Sequence, residues 1–348
     1  MKKFFMKAGI LCVCIAIVGG MIYFRAPLWQ LTAKLTGFSA RYELTDGMLW
    51  KTTTQKGQPI PQNSPLIYSV KEPKEEEEPF PPTPPEGVET GTVKTQTLPL
   101  SAANTVEGGV HISNKTGLTV DLATYLQQGL PFTLQDTHQP QVLIVHTHAT
   151  EGYLDGDYGY YLTAASTRTT NNTKNTVRVG EELARALNQL GIVTIQDTTQ
   201  HDYPDYNGSY TRSAQTMEDY LEKYPSIQVV IDLHRDAIEG DDGVKIKPTA
   251  TVGGKKAAQI MILAGCQTGS VEGFPNWEEN FRFCLQLQRQ LEADYGNLVR
   301  PLLFKACKYN FPLSTGSILI EMGTDANTLE EALYSANLLA QALGKVLR

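Results

Sequence analysis

The sequence predicts an α/β fold, in which a doubly wound and mostly parallel sheet forms a single domain behind an N-terminal transmembrane helix. Two observations support this fold class. Short apolar runs alternate with amphipathic helical patterns after about residue 105, as in parallel sheets covered by helices. Before that point, an apolar segment and an acidic Pro-rich tract cannot build a core. The predicted parts are an anchor (1–25), a stalk with the acidic linker (26–104) and one folded domain (105–348).

The N-terminal segment has the pattern of a membrane anchor. Three lysines, at positions 2, 3 and 7, precede an apolar stretch from Ala8 to Phe24 that is long enough for an adapted bilayer. Lysines before a span stay in the cytoplasm, so the rest of the chain is predicted to be exported. A cleaved signal peptide is the alternative, but no clear small-x-small site precedes Arg25. We expect a single-pass cell-membrane protein with a cytoplasmic N-terminus.

The stalk contains an extended spacer. Residues 71–87 read KEPKEEEEPFPPTPPEG, in which glutamates repel one another and prolines keep the backbone extended. Such a tract cannot bury enough apolar surface to fold. Its predicted role is to extend the folded domain away from the bilayer.

Composition excludes two classes of partner or site. The formal net charge is −7, and no dense Lys/Arg stretch is interleaved with aromatic residues, which argues against nucleic-acid binding. Cys266, Cys284 and Cys307 have neither CxxC spacing nor an even count, so they predict neither a disulfide scaffold nor a cysteine-zinc site.

The first elements of the domain alternate between strand and helix. The run 142–145 (VLIV) suits a buried strand. Apolar residues at near-helical spacing follow from Val177 to Leu190, and Gly191 stands where a left-handed C-cap is expected before a strand at 192–195. A polar-rich helix from about Arg212 to Tyr224 then leads to a strand at 229–233.

The last elements continue this alternation. Strands are predicted at 260–263 and 317–321, and Thr328 with Glu331 has capping-box spacing at the start of a final amphipathic helix. No repeat with a period of 20 to 50 residues is apparent, which excludes solenoids and propellers.

Three predicted strands end in residues that suit a metal site. The first ends in HTHATE, which contains His146, His148 and Glu151, and these are ligand types that zinc prefers. In an extended segment the two histidines would point to the same side. The other two strands end in His234 and Glu321. Carboxyl ends of parallel strands share one edge of a sheet, so we expect these side chains to converge.

Other polar residues near these strand ends are candidates for catalysis or binding. Glu321 beside a zinc would be the general base for an attacking water. Arg235 could bind a carboxylate or an oxyanion, and Asp236 could hold an imidazole, although structural ion pairs suit both equally. His201 and Arg212, in a polar loop that enters a helix, are candidate substrate contacts, with a turn role as the alternative.

Five ordered motifs within about residues 108 to 345 resemble the stage II sporulation protein P family: VLIVHTHATEGY, NTVRVGEELARAL, DTTQHDYPDYNGSYTRS, IDLHRDAI and ILIEMGTDANTLEEA. The resemblance implies a cell-wall hydrolase of the zinc N-acetylmuramoyl-L-alanine amidase type that acts during engulfment, with endopeptidase activity as a further property. It also implies stage II sporulation proteins D and M as partners. Neither the activity nor the partners follow from spacing or composition.

The resemblance leaves one zinc ligand open. Carried over by position, the ligands are His146, His148, Glu151 and His234, with Glu321 as the base. Wider zinc amidases take a glutamate from a helix after the first strand, which here would be Glu181 or Glu182, but Glu151 is favoured because it belongs to the HTHATE cluster.

Two other functions fit the same residues. A zinc carboxypeptidase or other wall peptidase would use the same ligands and base. A non-catalytic wall-binding scaffold would hold a structural zinc, but such zincs are fully ligated by protein, and a free Glu321 argues against this.

Overall fold

A computed structural model describes residues 41–45, 48–52, 83–84, 86–135, 138–240 and 242–348. The chain divides into two units, Met1–Val70 and Lys71–Arg348. In the first unit, β1 (Arg41–Thr45) pairs antiparallel with β2 (Met48–Thr52). The predicted anchor at 1–25 and most of the acidic tract lie outside the described residues. Within the described ranges, no helix has the length and hydropathy that a membrane crossing requires.

The second unit alternates strands and helices. Its strands are β3 (Thr90–Gln96), β4 (Thr105–Glu107), β5 (Val110–Asn114), β6 (Val142–Val145), β7 (Tyr160–Leu162), β8 (Thr194–Gln196), β9 (Val229–Asp236), β10 (Lys245–Val252), β11 (Lys255–Ala258), β12 (Ile260–Cys266), β13 (Leu302–Ala306) and β14 (Gly316–Thr324). Its helices are α1 (Leu122–Gln128), α2 (Thr176–Gln189), α3 (Ser209–Lys223), α4 (Trp277–Tyr295) and α5 (Leu329–Val346). The alternation confirms the predicted α/β class.

The larger sheet has eight strands in the order β4-β5-β13-β12-β14-β9-β6-β8. Strands β8, β6, β9 and β14 pair in parallel, and so do β12, β13 and β5. The pairs β12/β14 and β4/β5 are antiparallel, so the sheet is mixed. Strands β14, β9 and β6, which carry the predicted site residues, are direct neighbours.

Helices cover both faces of this sheet, and the strand sequences show why. Successive side chains of a strand point to opposite faces. In β6, Val142 and Ile144 belong to the large core that contains the apolar faces of α2, α4 and α5. Leu143 and Val145 face the other way and pack in a smaller core with Met217 of α3. A strand buried on both faces must be apolar throughout, as the VLIV run is.

The smaller sheet has the order β11-β10-β3-β7. Strand β3 pairs in parallel with β10, from Lys245 opposite Val93 to Pro248 opposite Gln96, and antiparallel with β7. The folded unit therefore begins upstream of residue 105, where the sequence analysis placed the end of the stalk. Strand β3 is mostly polar and half-exposed, so it has no apolar run that would reveal it.

Local signals place several element ends correctly. Gly191 follows α2 with a φ of 76°, the left-handed conformation predicted for it. The capping box that starts α5 is present, with Thr328 accepting from the backbone of Glu331 and the Glu331 side chain accepting from the backbone of Thr328.

Candidate active site

His234 lies at the centre of the strand ends. On β9 it is opposite Glu321 of the neighbouring β14. Its Nδ1 is 3.5 Å from Glu151 Oε2, and its Nε2 is 3.0 Å from Asp232 Oδ1. Burial opposes the charged imidazole, but the two carboxylates outweigh it and raise the pKa of His234 well above its usual value. The ring is thus held between two acidic groups.

Glu151 is the glutamate that contacts His234. Its Oε2 also accepts from the backbone N–H of Arg235 at 3.1 Å, and its Oε1 is 3.3 Å from Arg168 Nη2. Burial opposes ionisation of Glu151, yet the contact with His234 keeps the pKa of the carboxyl below its usual value.

The two other candidate glutamates lie elsewhere. Glu181 pairs with Arg178 at 3.6 Å on α2. Glu182 binds Arg185 and accepts a hydrogen bond from Asn337 of α5 at 2.8 Å. The structure therefore brings Glu151, and neither helix glutamate, into contact with His234.

His148 lies beside His234 in the turn after β6. The two ring centroids are 5.3 Å apart at 86°. The His148 ring also stacks on the Tyr206 ring, with centroids 4.6 Å apart, and its Nε2 is 3.1 Å from the Tyr206 hydroxyl. Its Nδ1 is buried and has no hydrogen-bond partner among the described residues. Burial, together with nearby His234, lowers the pKa of His148, which favours a neutral ring.

His146 does not join this group, and the prediction that it points to the same side as His148 is wrong. The strand ends at Val145 and residues 147–150 form a turn, so the period of two does not continue. The His146 Nδ1 is 3.1 Å from the carbonyl of Leu233, and its Nε2 is 2.9 Å from Gln196 Nε2. Burial lowers the pKa of His146 to about 4. A neutral ring that donates from Nδ1 and accepts at Nε2 has no nitrogen left for a ligand.

Glu321 faces the same site from β14. Residues at paired positions of neighbouring strands point to the same face, so its carboxylate lies on the side of His234. Its Oε2 is buried without a hydrogen-bond partner among the described residues. Burial raises the pKa of Glu321 to about 8, an effect that nearby His234 opposes and Glu151 reinforces.

Arg235 and Asp236, proposed from the sequence for catalysis and substrate binding, have structural contacts instead. The Arg235 guanidinium donates to the carbonyls of Gly152 at 3.0 Å and Thr167 at 2.7 Å. It thereby holds the loop that carries Glu151. The Asp236 carboxylate pairs with Arg300 at 2.8 Å and contacts no imidazole among the residues that the structure describes.

His201 and Arg212, predicted as substrate contacts, also hold backbone. His201 is buried, with Nδ1 2.9 Å from the carbonyl of His146 and Nε2 2.9 Å from Thr216 Oγ1. Arg212 donates to the carbonyls of His201, Asp205 and Asn207. These contacts are those of the turn role that the sequence left as an alternative, and they shape the loop from 201 to 208.

Two charged residues near the site were missed by sequence reasoning. Asp232 is buried beside His234, which lowers the pKa of the Asp232 carboxyl to about 2 although burial opposes this. The spacing of two between them in a strand could have revealed the pair. Arg168 contacts Glu151 and Asp202 and lies 4.9 Å from the ring centre of Tyr206. It comes from an irregular loop, and no local pattern marks it.

The histidines and carboxylates contact one another directly. In the described part of the chain, no group of three or more His, Cys, Asp or Glu side chains is arranged as a metal site. His148, Glu151 and His234 are nevertheless neighbours, with Glu321 on the adjoining strand.

The family model described as stage II sporulation protein P (SpoIIP) matches residues 51–344, most of the chain. The chain belongs to the stage II sporulation protein P family. This confirms the resemblance of the five motifs. A SpoIIP relative, stage II sporulation protein P of Bacillus subtilis (strain 168), is 28% identical over 223 residues, which are 59% of this chain and 50% of the relative. The chain thus spans about half the length of that SpoIIP relative.

Solved structures of cell-wall amidases show a weaker likeness to this SpoIIP chain. An N-acetylmuramoyl-L-alanine amidase from Clostridium difficile 630 is 13% identical with a TM-score of 0.35, over 61% of this chain and 96% of its own. The CwlD amidase from Clostridioides difficile, in complex with the GerS lipoprotein, is 9% identical with a TM-score of 0.36, over 60% and 96%. These TM-scores are low, and the SpoIIP assignment depends on the sequence match alone.

Proposed function

We propose that this SpoIIP chain is a zinc-dependent peptidoglycan hydrolase. Its reaction is cleavage of the amide between N-acetylmuramic acid and the L-alanine of the stem peptide, during engulfment in sporulation. The observation that carries the proposal is the meeting of His148, Glu151 and His234 beside Glu321 at neighbouring strand ends. Membership of the SpoIIP family supports the cell wall as the substrate.

The donor types suit zinc, and two of the separations between them match those expected around one ion. Two ligand atoms about 2.1 Å from a tetrahedral zinc are roughly 3.4 Å apart. His234 Nδ1 and Glu151 Oε2 are 3.5 Å apart. Two imidazoles on such an ion have ring centres about 5 Å apart, and those of His148 and His234 are 5.3 Å apart. The unpartnered Nδ1 of His148 is a free donor atom for the same ion.

Each residue then has one task. His148, Glu151 and His234 would hold the zinc ion, which would supply Lewis acidity to the scissile carbonyl and make water a stronger nucleophile at neutral pH. Glu321 takes the proton of the attacking water and returns it to the nitrogen of the leaving amine. Arg235 keeps Glu151 in place in two ways. Its backbone N–H donates to the Glu151 carboxylate, and its guanidinium donates to the carbonyl of Gly152. His201 supports the backbone of the HTH segment through the carbonyl of His146, and His146 joins this segment to β9 through the carbonyl of Leu233.

Location and partners complete the proposal. The apolar segment at 1–25 anchors the chain in the cell membrane with its N-terminus in the cytoplasm and the hydrolase domain outside. Stage II sporulation proteins D and M are the proposed partners, on the basis of the family resemblance. Co-purification of the full chain with either protein from membranes tests this. Failure of the chain to co-purify with both proteins would contradict it.

The decisive experiment combines metal content with product analysis. Full-length protein in detergent is compared with His234→Ala and Glu321→Gln for bound zinc and for digestion of purified sacculi, with mass spectrometry of the products. We expect His234→Ala to lose zinc and activity, and Glu321→Gln to keep zinc and lose activity. His111→Ala is the matched control, because His111 pairs with Glu292 of α4 and has no contact with the proposed ligands.

The products separate the alternative functions. Amidase cleavage frees glycan strands without peptides and stem peptides that begin with L-alanine. Release of single amino acids from stem peptides would instead identify a carboxypeptidase. Zinc binding by wild type without any wall cleavage would favour the scaffold. Wall hydrolysis retained by either variant would reject the role assigned to that residue.

A further inference from the structure

Two exposed tyrosines lie in the loop that leads from β8 into α3. Tyr203 is 59% exposed and Tyr206 is 52% exposed. In residues 86–135, 138–240 and 242–348, the other tyrosine, phenylalanine and tryptophan side chains are buried or partly buried. Two exposed rings three residues apart form an apolar surface of the kind that marks binding sites on soluble proteins.

Tyr206 lies directly against the candidate active site. Its ring stacks on that of His148, with 14° between the two planes, and its hydroxyl is 3.1 Å from His148 Nε2. Arg168, which pairs with Glu151 and Asp202, lies 4.9 Å from the centre of the Tyr206 ring. These contacts hold the ring in a fixed position at the rim of the site, with half of its surface in contact with water.

The loop that carries both tyrosines is braced by buried hydrogen bonds. Arg212 of α3 donates from Nε to the carbonyl of His201 at 2.7 Å and from Nη1 to that of Asn207 at 3.1 Å, and it also donates to the carbonyl of Asp205. His201 is buried, and its Nδ1 is 2.9 Å from the carbonyl of His146. A surface that is ordered before its ligand arrives loses little conformational entropy on binding.

We propose that Tyr203 and Tyr206 form a subsite for the glycan strand of the wall, an inference that rests on the proposed function for its substrate. The scissile amide joins a sugar to a peptide, so the sugar lies next to the reacting groups when the amide is cleaved. Tyr206 is the exposed ring that contacts one of these groups, His148. The faces of a sugar ring carry C–H groups that pack on an aromatic ring, while its hydroxyls point outwards to polar partners.

The charge of the loop favours the glycan over the stem peptide as the occupant. Asp205 is exposed between the two tyrosines in the sequence. The positive charge of Arg168 is already paired with Glu151 and Asp202. The surface therefore has no surplus of positive charge to attract the carboxylates of a stem peptide, and like charges oppose binding. A neutral sugar is not repelled, and its hydroxyls can donate to a carboxylate such as that of Asp205.

The test measures binding of a hexamer of β-1,4-linked N-acetylglucosamine, a neutral glycan that carries no peptide. Calorimetry with full-length protein in detergent compares wild type with Tyr203→Ala and Tyr206→Ala, and the melting temperature of each protein is measured alongside. We expect wild type to bind the hexamer and each variant to bind it about 5- to 10-fold more weakly, because tyrosines at the centre of a binding surface contribute to this extent when truncated.

Two further variants and a second ligand make the result specific. Tyr206→Phe keeps the ring and removes the hydroxyl near His148, so it should bind the hexamer as wild type does. Val106→Ala is the matched control for loss of exposed apolar surface, because Val106 is 57% exposed on β4, at the opposite edge of the larger sheet from β8. It should also bind as wild type. A free stem peptide should show no difference between wild type and the two alanine variants.

The outcomes separate this inference from the proposed function. If wild type cleaves sacculi but does not bind the hexamer, or if both alanine variants bind it as wild type does, the subsite is overturned and the hydrolase function stands. If the two tyrosines are needed for the hexamer but wild type cleaves no wall, the subsite stands and the hydrolase function fails. Loss of binding to the stem peptide alone would make the peptide the occupant and overturn the proposal. If Tyr206→Ala does not fold, Tyr203→Ala decides: weaker binding of the hexamer supports the subsite, and wild-type affinity overturns it.

Discussion

Gly180 lies in α2 next to the buried ring of His146. A methyl group at this position would lie 2.6 Å from His146 Nε2 and 2.6 Å from Gln196 Nε2. Neither neighbour can withdraw freely, because Gln196 Nε2 donates to the carbonyl of Val177 at 2.8 Å and also contacts His146. Gly180→Ala therefore forces a buried ring and a buried amide apart.

Opposing effects determine how much Gly180→Ala changes the free energy of unfolding. Replacement of a helical glycine by alanine ordinarily stabilises by about 1 kcal/mol. Overpacking of a filled interior costs about 1–3 kcal/mol, and the lost contact between Gln196 and His146 costs about 1 kcal/mol more. We expect Gly180→Ala to lower the free energy of unfolding by about 1–3 kcal/mol, with the melting temperature falling by roughly 2–4 °C for each kcal/mol.

Gly344→Ala is the control for helix propensity. Gly344 lies in α5, and a methyl group there would meet only the end of the Leu190 side chain, at 2.9 Å, which can move. Urea unfolding with a common slope measures both variants. We expect Gly344→Ala to be as stable as wild type or more stable by up to about 1 kcal/mol. The reasoning about His146 is refuted if Gly180→Ala is as stable as Gly344→Ala.

Three further predictions concern stability and thiol reactivity. Lys247→Met removes a fully buried cation whose Nζ is 2.5 Å from Asp157 Oδ1 and 3.1 Å from Glu331 Oε1. Because the buried Glu331 carboxylate loses the cation that pairs with it, urea unfolding should show a loss of about 3–5 kcal/mol, and unchanged stability would contradict this. Thr328→Ala removes the side-chain acceptor of the α5 capping box, so calorimetry should show a loss of about 1 kcal/mol; a variant as stable as wild type would mean that the cap is dispensable. Partial or full burial raises the pKa of Cys266 to about 11 and that of Cys307 to about 12, so an alkylating reagent at neutral pH should label both thiols much more slowly in folded than in urea-unfolded protein. Fast labelling of the native protein, read by mass spectrometry, would contradict the raised pKa values.

The sequence predicted much of the larger sheet because its signals are local. The VLIV run before His146 and the apolar residues before His234 must be buried on both faces, and this shows in composition alone. Gly191 and the Thr328 capping box mark helix ends because backbone groups at a helix end lack partners within the helix and such residues satisfy them. The smaller sheet gave no such signal, since β3 is polar and its partner β10 lies about 150 residues away.

The sequence predicted that the site lies at neighbouring strand ends, but it could not show which residues belong to the site. Residue types and the order of strands suggested that His234, Glu321 and the HTHATE segment meet at one edge. The direction of each side chain depended on where β6 stops, since a turn after Val145 separates His146 from His148. Arg235 and Arg212 are used by backbone carbonyls from other loops, which no local pattern reveals.

By itself, then, the sequence determined the α/β class, the neighbouring apolar strands, the chemical types of the candidate ligands and the SpoIIP resemblance. Only the tertiary structure decided that Glu151, and neither Glu181 nor Glu182, contacts His234, and that Asp232 lies 3.0 Å from the other ring nitrogen. The physical reason is the distance along the sequence over which each kind of interaction acts. Burial patterns and caps arise between residues a few positions apart, whereas hydrogen bonds at a site join atoms that only the packed sheet and its loops bring within 3 to 4 Å.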